Sequence, residues 1–160
     1  MPEMTLLGWF HTILGAGAVL TGFYTVFKHK VISLEKTTGR FYLFLTLLVA
    51  GSALGIYNQG GFGIAHVLAV LTLVALVGGL IAEKEKLFGS FSKYIQALGY
   101  SSTLLFHMIP AITDFLRRLP IGDPFIDSFE APVLMKFYLG FLLIYFIGII
   151  AQMFWLKKSA

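Results

Sequence analysis

Long apolar runs alternate along this chain with short polar turns rich in lysine and arginine. Five runs stand out: Thr5–Phe27, Phe41–Tyr57, Phe62–Ala82, Tyr94–Phe115 and Val133–Leu156. Each is close to the roughly 17 to 25 residues that a helix needs to cross the hydrocarbon of a bilayer. Backbone polar groups cannot stay unpaired in lipid, so the pattern predicts an all-α, polytopic membrane bundle of five transmembrane helices, a single transmembrane domain over residues 1–160. The longest connection, between the fourth and fifth runs, places Asp123 and Pro124 in the order of N-cap and first-turn residue. Phe125, Ile126 and Phe129 follow as an apolar face, and the segment predicts a short interfacial helix over residues 124–129.

Composition narrows the class. Of 160 residues, 58% are hydrophobic and 12% charged, and the mean hydropathy is +0.84, outside the range of water-soluble domains. Five spans leave no room for a separate catalytic module. The absence of cysteine excludes disulfides, thiolate metal ligands and a cysteine nucleophile. The net charge is +4, and the basic residues sit between apolar runs, so they orient the chain in a bilayer and give no support to nucleic-acid binding. Lys28, Lys30, Lys36, Arg40, Lys84, Lys86, Lys93, Lys157 and Lys158 fall on one side; Arg117, Arg118 and Lys136 fall on the other. This bias predicts an N-terminus outside and a C-terminus in the cytoplasm. Glu3, Asp114, Asp123, Asp127 and Glu130 lie on the outer side, with Trp9 and Tyr57 at the outer interface and Tyr42, Tyr94 and Trp155 at the inner one. Met1-Pro-Glu-Met4 lacks a basic n-region, which predicts that the first helix is retained.

Helical spacing then says which faces look inward. Gly8, His11, Gly15, Ala18 and Gly22 share one stripe of the first run, where another helix or a flat ligand approaches closely. Gly51 and Gly55 mark a similar contact face on the second. On the fourth, Thr103, His107, Asp114 and Arg118 form a polar stripe, and Pro110 removes the hydrogen bond to the Phe106 carbonyl beside His107. On the fifth, Tyr138, Tyr145 and Gln152 recur every seven residues and offer polar groups to the interior.

Three of the four histidines lie inside these runs. At 1.5 Å per residue, His11, His66 and His107 fall at depths of roughly 9, 6 and 12 Å from the outer ends, within the reach of one site. His29 lies among lysines at the inner edge and reads as a solvated loop residue. A neutral imidazole serves as interhelical hydrogen-bond glue, and equally as a ligand for zinc, copper or iron. The residues leave three chemistries open: a three-histidine metal site at His11, His66 and His107, a haem held between two of them, and a protonatable or quinone-binding pocket using His107, Asp114 and Tyr138. A two-haem carrier lacks its second histidine pair.

His11-Thr-Ile-Leu-Gly15, Gly39-Arg40-Phe-Tyr42, Gly63-Ile-Ala-His66, His107-Met-Ile-Pro-Ala-Ile-Thr-Asp114 and Arg118-Leu-Pro120 together resemble an uncharacterised family of small bacterial multi-pass inner-membrane proteins. The likeness runs from His11 to Pro120. It implies a helical bacterial membrane protein; that family has no established activity, so no catalytic role carries over from it. Related sequences place a histidine just before the Gly-Arg pair, where this chain has Thr37-Thr38, which disfavours a ligand there.

The expectation is an integral protein of the bacterial inner membrane with an outer-leaflet site of His11, His66 and His107, supported by Asp114 and Tyr138. That site would hold a metal or haem b for redox chemistry or metal handling. The alternative is a noncatalytic membrane subunit or scaffold whose histidines only join helices. A transporter is a third class, for which so small a chain would have to form a homo-oligomer or join a larger membrane complex. Whether the chain is an enzyme is left open.

Overall fold

A computed structural model describes residues 4–57 and 60–159; Glu3, counted above among the outer acids, lies outside the described residues. They form five α-helices: α1 (Leu6–His29), α2 (Thr37–Ala53), α3 (Ile64–Glu85), α4 (Ser92–Arg118) and α5 (Pro132–Lys158). A single 3-10 turn, Gly89–Phe91, precedes α4, and there is no strand among the described residues.

Local chemistry sets the helix ends. The Thr5 hydroxyl accepts the Gly8 N–H at 3.1 Å and caps α1. Pro132 opens α5, where its missing N–H costs nothing. α1 and α3 both stop at a lysine with positive φ, Lys30 at 70° and Lys86 at 49°. α2 begins and ends four residues earlier than the apolar run predicts. Beyond Ala53, Gly55 N–H turns back to the Ser52 carbonyl and Ile56 N–H to that of Ala53, so the apolar run outlasts the helix.

Three of the five helices, α1, α3 and α5, are long and apolar enough to cross a membrane, where the hydrophobic pattern predicts five. α2 has 17 residues, at the lower limit of the length required. α4 is long but carries Lys93, Gln96, Ser101, Ser102, Thr103, His107, Asp114 and two arginines.

These two helices are nonetheless the ones most enclosed. α1 to α4 pack as a ring, α1 against α2, α2 against α3, α3 against α4 and α4 back against α1, while α5 lies outside against α4. Tyr42, Leu43, Leu45 and Val49 of α2 meet Ala18 of α1, Leu76 of α3 and Tyr100 and Leu104 of α4 in the central cluster. α4 buries Ser92, Ser101, Thr103, His107 and Thr113, whereas α5, almost wholly apolar, buries only Leu134, Gln152 and Leu156. Polar groups inside and large apolar side chains outside is the distribution of a protein whose surface contacts lipid. Neighbouring helices alternate in direction, so the turns between α1 and α2 and between α3 and α4 share one end with the C-terminus of α5.

Residues 124–129 form turns and bends and no helix, against the sequence expectation. The N–H groups of Phe125 and Ile126 turn back to the Leu119 and Leu116 carbonyls, capping the C-terminal end of α4 in place of starting a new helix.

The closest approach in the bundle is between α3 and α4. A Cβ at Gly99 would stand 2.8 Å from the Ala75 carbonyl oxygen and 3.1 Å from Gly79 N, both backbone atoms. Gly99→Ala is expected to force these helices apart and lower stability by about 1–3 kcal/mol. Gly51→Ala, whose Cβ meets nothing within 4 Å, should melt in detergent at or above the wild-type temperature.

Candidate functional site

A seam of hydrogen-bonded polar side chains runs through the ring between α2, α4 and α1. The Thr103 hydroxyl donates to the Tyr100 carbonyl at 2.7 Å, so its remaining contact, to the Tyr42 hydroxyl at 2.7 Å, must be one in which Tyr42 donates. Tyr42 is completely buried. This differs from its expected place at the inner interface, because its hydroxyl finds a partner deep in the bundle. One turn along α2, Thr46 Oγ1 meets His107 Nε2 at 3.1 Å and also faces the Tyr42 hydroxyl. One turn further, His11 of α1 places Nδ1 3.1 Å from the Val49 carbonyl oxygen and 3.0 Å from Ser52 Oγ.

These contacts assign the His11 tautomer. A carbonyl oxygen only accepts, and the Ser52 hydroxyl itself donates to the Val49 carbonyl at 3.0 Å, so Nδ1 of His11 carries the proton and Nε2 the lone pair. Asp114 is 3.6 Å from Arg118 Nε, one turn on along α4.

His66 stands in a different setting. Gly63 N–H donates to its Nδ1 at 3.1 Å, which closes the first turn of α3 and leaves the proton on Nε2. The ring lies between Tyr57 and Phe62, with centroids 4.6 and 5.0 Å away, and Nε2 is buried without a partner among the described residues. In this tautomer Nε2 is a donor and offers no lone pair to a metal.

Among the described residues, no three histidine, aspartate or glutamate side chains gather as a metal-binding group. Depth counting placed the three imidazoles at one level; it did not include the rotation of each helix about its own axis. The glycine stripe of α1 is filled by neighbours. A Cβ at Gly22 would meet the Tyr42 ring at 2.7 Å and Leu104 at 2.9 Å, and one at Gly15 would meet Val49 at 4.0 Å. Tyr138 reaches neither His11 nor His107 by a hydrogen bond. Its hydroxyl donates to Thr113 Oγ1 at 2.6 Å, since Thr113 donates in turn to the Ile109 carbonyl. The heptad spacing on α5 marks its contact face: Tyr145 pairs with Ser102 at 2.8 Å and Gln152 with Ser101 at 2.9 Å.

Sequence reasoning missed Thr46 and Glu83. Glu83 binds three donors at the basic end of the bundle: Oε1 accepts from Ser33 Oγ at 2.6 Å and Leu34 N at 2.8 Å, and Oε2 accepts from Tyr100 Oη at 2.8 Å. An acid closing an apolar run beside Ala82 was its only signal. No known protein family, curated protein or solved structure matches the chain.

The His107–Thr46 contact should couple the two residues energetically. In a double-mutant cycle of His107→Leu and Thr46→Val, thermal stability should show an interaction of about 0.6–1.7 kcal/mol, the range of interhelical hydrogen bonds in membrane proteins. Strict additivity would mean that the contact contributes nothing.

Proposed function

We propose that the chain is a multi-pass protein of the bacterial inner membrane, crossing it five times with its N-terminus outside and its C-terminus in the cytoplasm. It acts there as a noncatalytic subunit or scaffold whose histidines bind helices to one another. The observation that carries this reading is the hydrogen bonding of His11 and His107: they come from α1 and α4, and both bond to α2, at Val49 with Ser52 and at Thr46. His66 differs, since its bond closes the first turn of its own helix and joins no second one. Five crossings are supported by the enclosure of α2 and α4 within the ring and by the alternating directions implied where the end of α3, the start of α4 and the end of α5 all bond the turn after α1. The gathering of Lys28, Lys30, Lys36, Arg40, Lys84, Lys86, Lys93, Lys157 and Lys158 at one end supports the orientation.

One observation favours a second reading, in which the site holds a metal or haem for redox chemistry or metal handling. An imidazole whose Nδ1–H is fixed by a backbone carbonyl, as in His11, presents its Nε2 lone pair in the way metal-ligating histidines usually do. This reading takes His107 as the second ligand, with Asp114 in support, and leaves out His66, whose Nε2 carries the proton.

An absorption spectrum and metal analysis of the purified protein separate the two. The scaffold reading expects neither a Soret band nor stoichiometric zinc, copper or iron, and migration in native membranes within an assembly larger than the 17.7 kDa chain. A bound cofactor that His107→Ala removes and His29→Ala keeps would replace it with the second reading. Orientation is tested independently, because the chain has no cysteine. A membrane-impermeant thiol reagent should label Ser128→Cys in intact cells and spare Ser90→Cys; the opposite pattern would invert the topology.

A further inference from the structure

At the basic end of the bundle the helices part around an open cleft of about 610 Å³, lined by His29, Lys36, Glu83, Lys86, Lys93 and Trp155 among others. Its walls come from four separate segments that partly buried hydrogen bonds hold in place. Glu83 ties the end of α3 to the turn after α1 and to Tyr100 of α4. Gln96 Nε2 donates to the Ile32 carbonyl at 3.0 Å, Gln152 Nε2 to that of Lys30 at 2.8 Å, and Lys93 Nζ to that of Leu156 at 2.9 Å. The cleft is therefore preformed.

Its charge is unbalanced. The only ion pair among the described residues joins Asp114 to Arg118 on the outer half of α4, so no carboxylate lies within 4 Å of Lys36, Lys86 or Lys93. Glu83 does not neutralise them, since both its oxygens already accept from Ser33, Leu34 and Tyr100 and serve as a latch in the wall. Glu35, also on the lining, is exposed, as are Lys36 and Lys86, while Lys93 is half-buried. Lys36, Lys86 and Lys93 form no ion pair, although Lys93 also donates to the Leu156 carbonyl, and the three outnumber Glu35 and Glu83 on the lining, which favours an anion; the volume exceeds what a single small ion fills. The cleft also stands where the apolar helices end, with Trp155, an interfacial residue type, at its side. Basic pockets between helices at a cytoplasmic membrane face bind phosphate headgroups in this way.

We propose that this cleft is a binding site for a phosphate ester, supplied by the headgroup of an anionic phospholipid from the leaflet on which it opens. The inference rests on the reading of this end as a membrane interface. The headgroup phosphate sits among Lys36, Lys86 and Lys93, and its acyl chains stay in the surrounding lipid.

The chain has two tryptophans, so Trp9→Phe leaves Trp155 as a reporter inside the cleft. In detergent, titration of this variant with phosphatidylglycerol should shift Trp155 emission saturably, with phosphatidylcholine at least tenfold weaker. Adding Lys36→Ala and Lys86→Ala should raise the midpoint about tenfold or more, while Lys136→Ala at the other end leaves it unchanged. Saturation by glycerol 3-phosphate at matching concentrations would uphold the phosphate site and move its source to a soluble ester. Equal responses to the two lipids, or a midpoint indifferent to both lysines in a variant whose circular dichroism is wild-type, would overturn the proposal. Binding in detergent does not depend on orientation, so inverted cysteine labelling would defeat the topology without touching this result.

Discussion

Everything in this bundle answers to the polar face of α4. That helix carries hydroxyl, amide, imidazole and carboxylate groups along most of its length, yet it is enclosed by helices whose outer surfaces are apolar. An unpaired polar group in such surroundings costs on the order of several kcal/mol, so each of these groups needs a protein partner, and the partners dictate which helix lies next to α4 and in which register. Thr103 and His107 call for Tyr42 and Thr46 on α2. Ser101, Ser102 and Thr113 call for Gln152, Tyr145 and Tyr138 on α5. Hydrophobic packing has little preference among such helices in lipid; the hydrogen bonds supply the specificity.

The same demand explains the histidines. At neutral pH an imidazole has one donor and one acceptor nitrogen, so it satisfies one neighbour and keeps one nitrogen for something else. His11 keeps a lone pair and His66 keeps an N–H, and these residual groups are chemically opposite. Two histidines that look alike in a sequence are therefore not interchangeable as ligands. The difference is set by a single backbone contact each, the Val49 carbonyl for one and the Gly63 N–H for the other.

Much of the architecture was legible in the chain. Apolar run length predicted five helices close to their observed bounds, and the heptad of Tyr138, Tyr145 and Gln152 predicted the face of α5 that carries its hydrogen bonds to α4. The site was less legible, for physical reasons. Periodicity says which residues of one helix share a face, and rise per residue says how deep each lies, but neither fixes how one helix is rotated against the next. His66 accordingly lies between Tyr57 and Phe62, and Tyr42 left the interface for the core. At 124–129 the apolar face and cap signal were present, but the unfilled carbonyls at the end of α4 competed for the same N–H groups and won.

The basic end shows why counting charges understates what charges do. For topology, each lysine near a helix end counts alike, yet in the fold they separate into two groups. Lys30 and Lys86 terminate α1 and α3 at positive φ, and Lys93 reaches a carbonyl in the last turn of α5, which the helix dipole favours. The same Lys86 and Lys93, with Lys36, border a cleft whose lining also carries Glu35, and none of the three lysines forms an ion pair there. Lys36 and Lys86 are exposed, so solvent screens part of their repulsion; gathered with the half-buried Lys93 around one cleft, the three still repel one another. That repulsion is tolerable in a fold already latched by Glu83, Gln96 and Gln152, so the latch and the basic cleft it shapes belong to one arrangement.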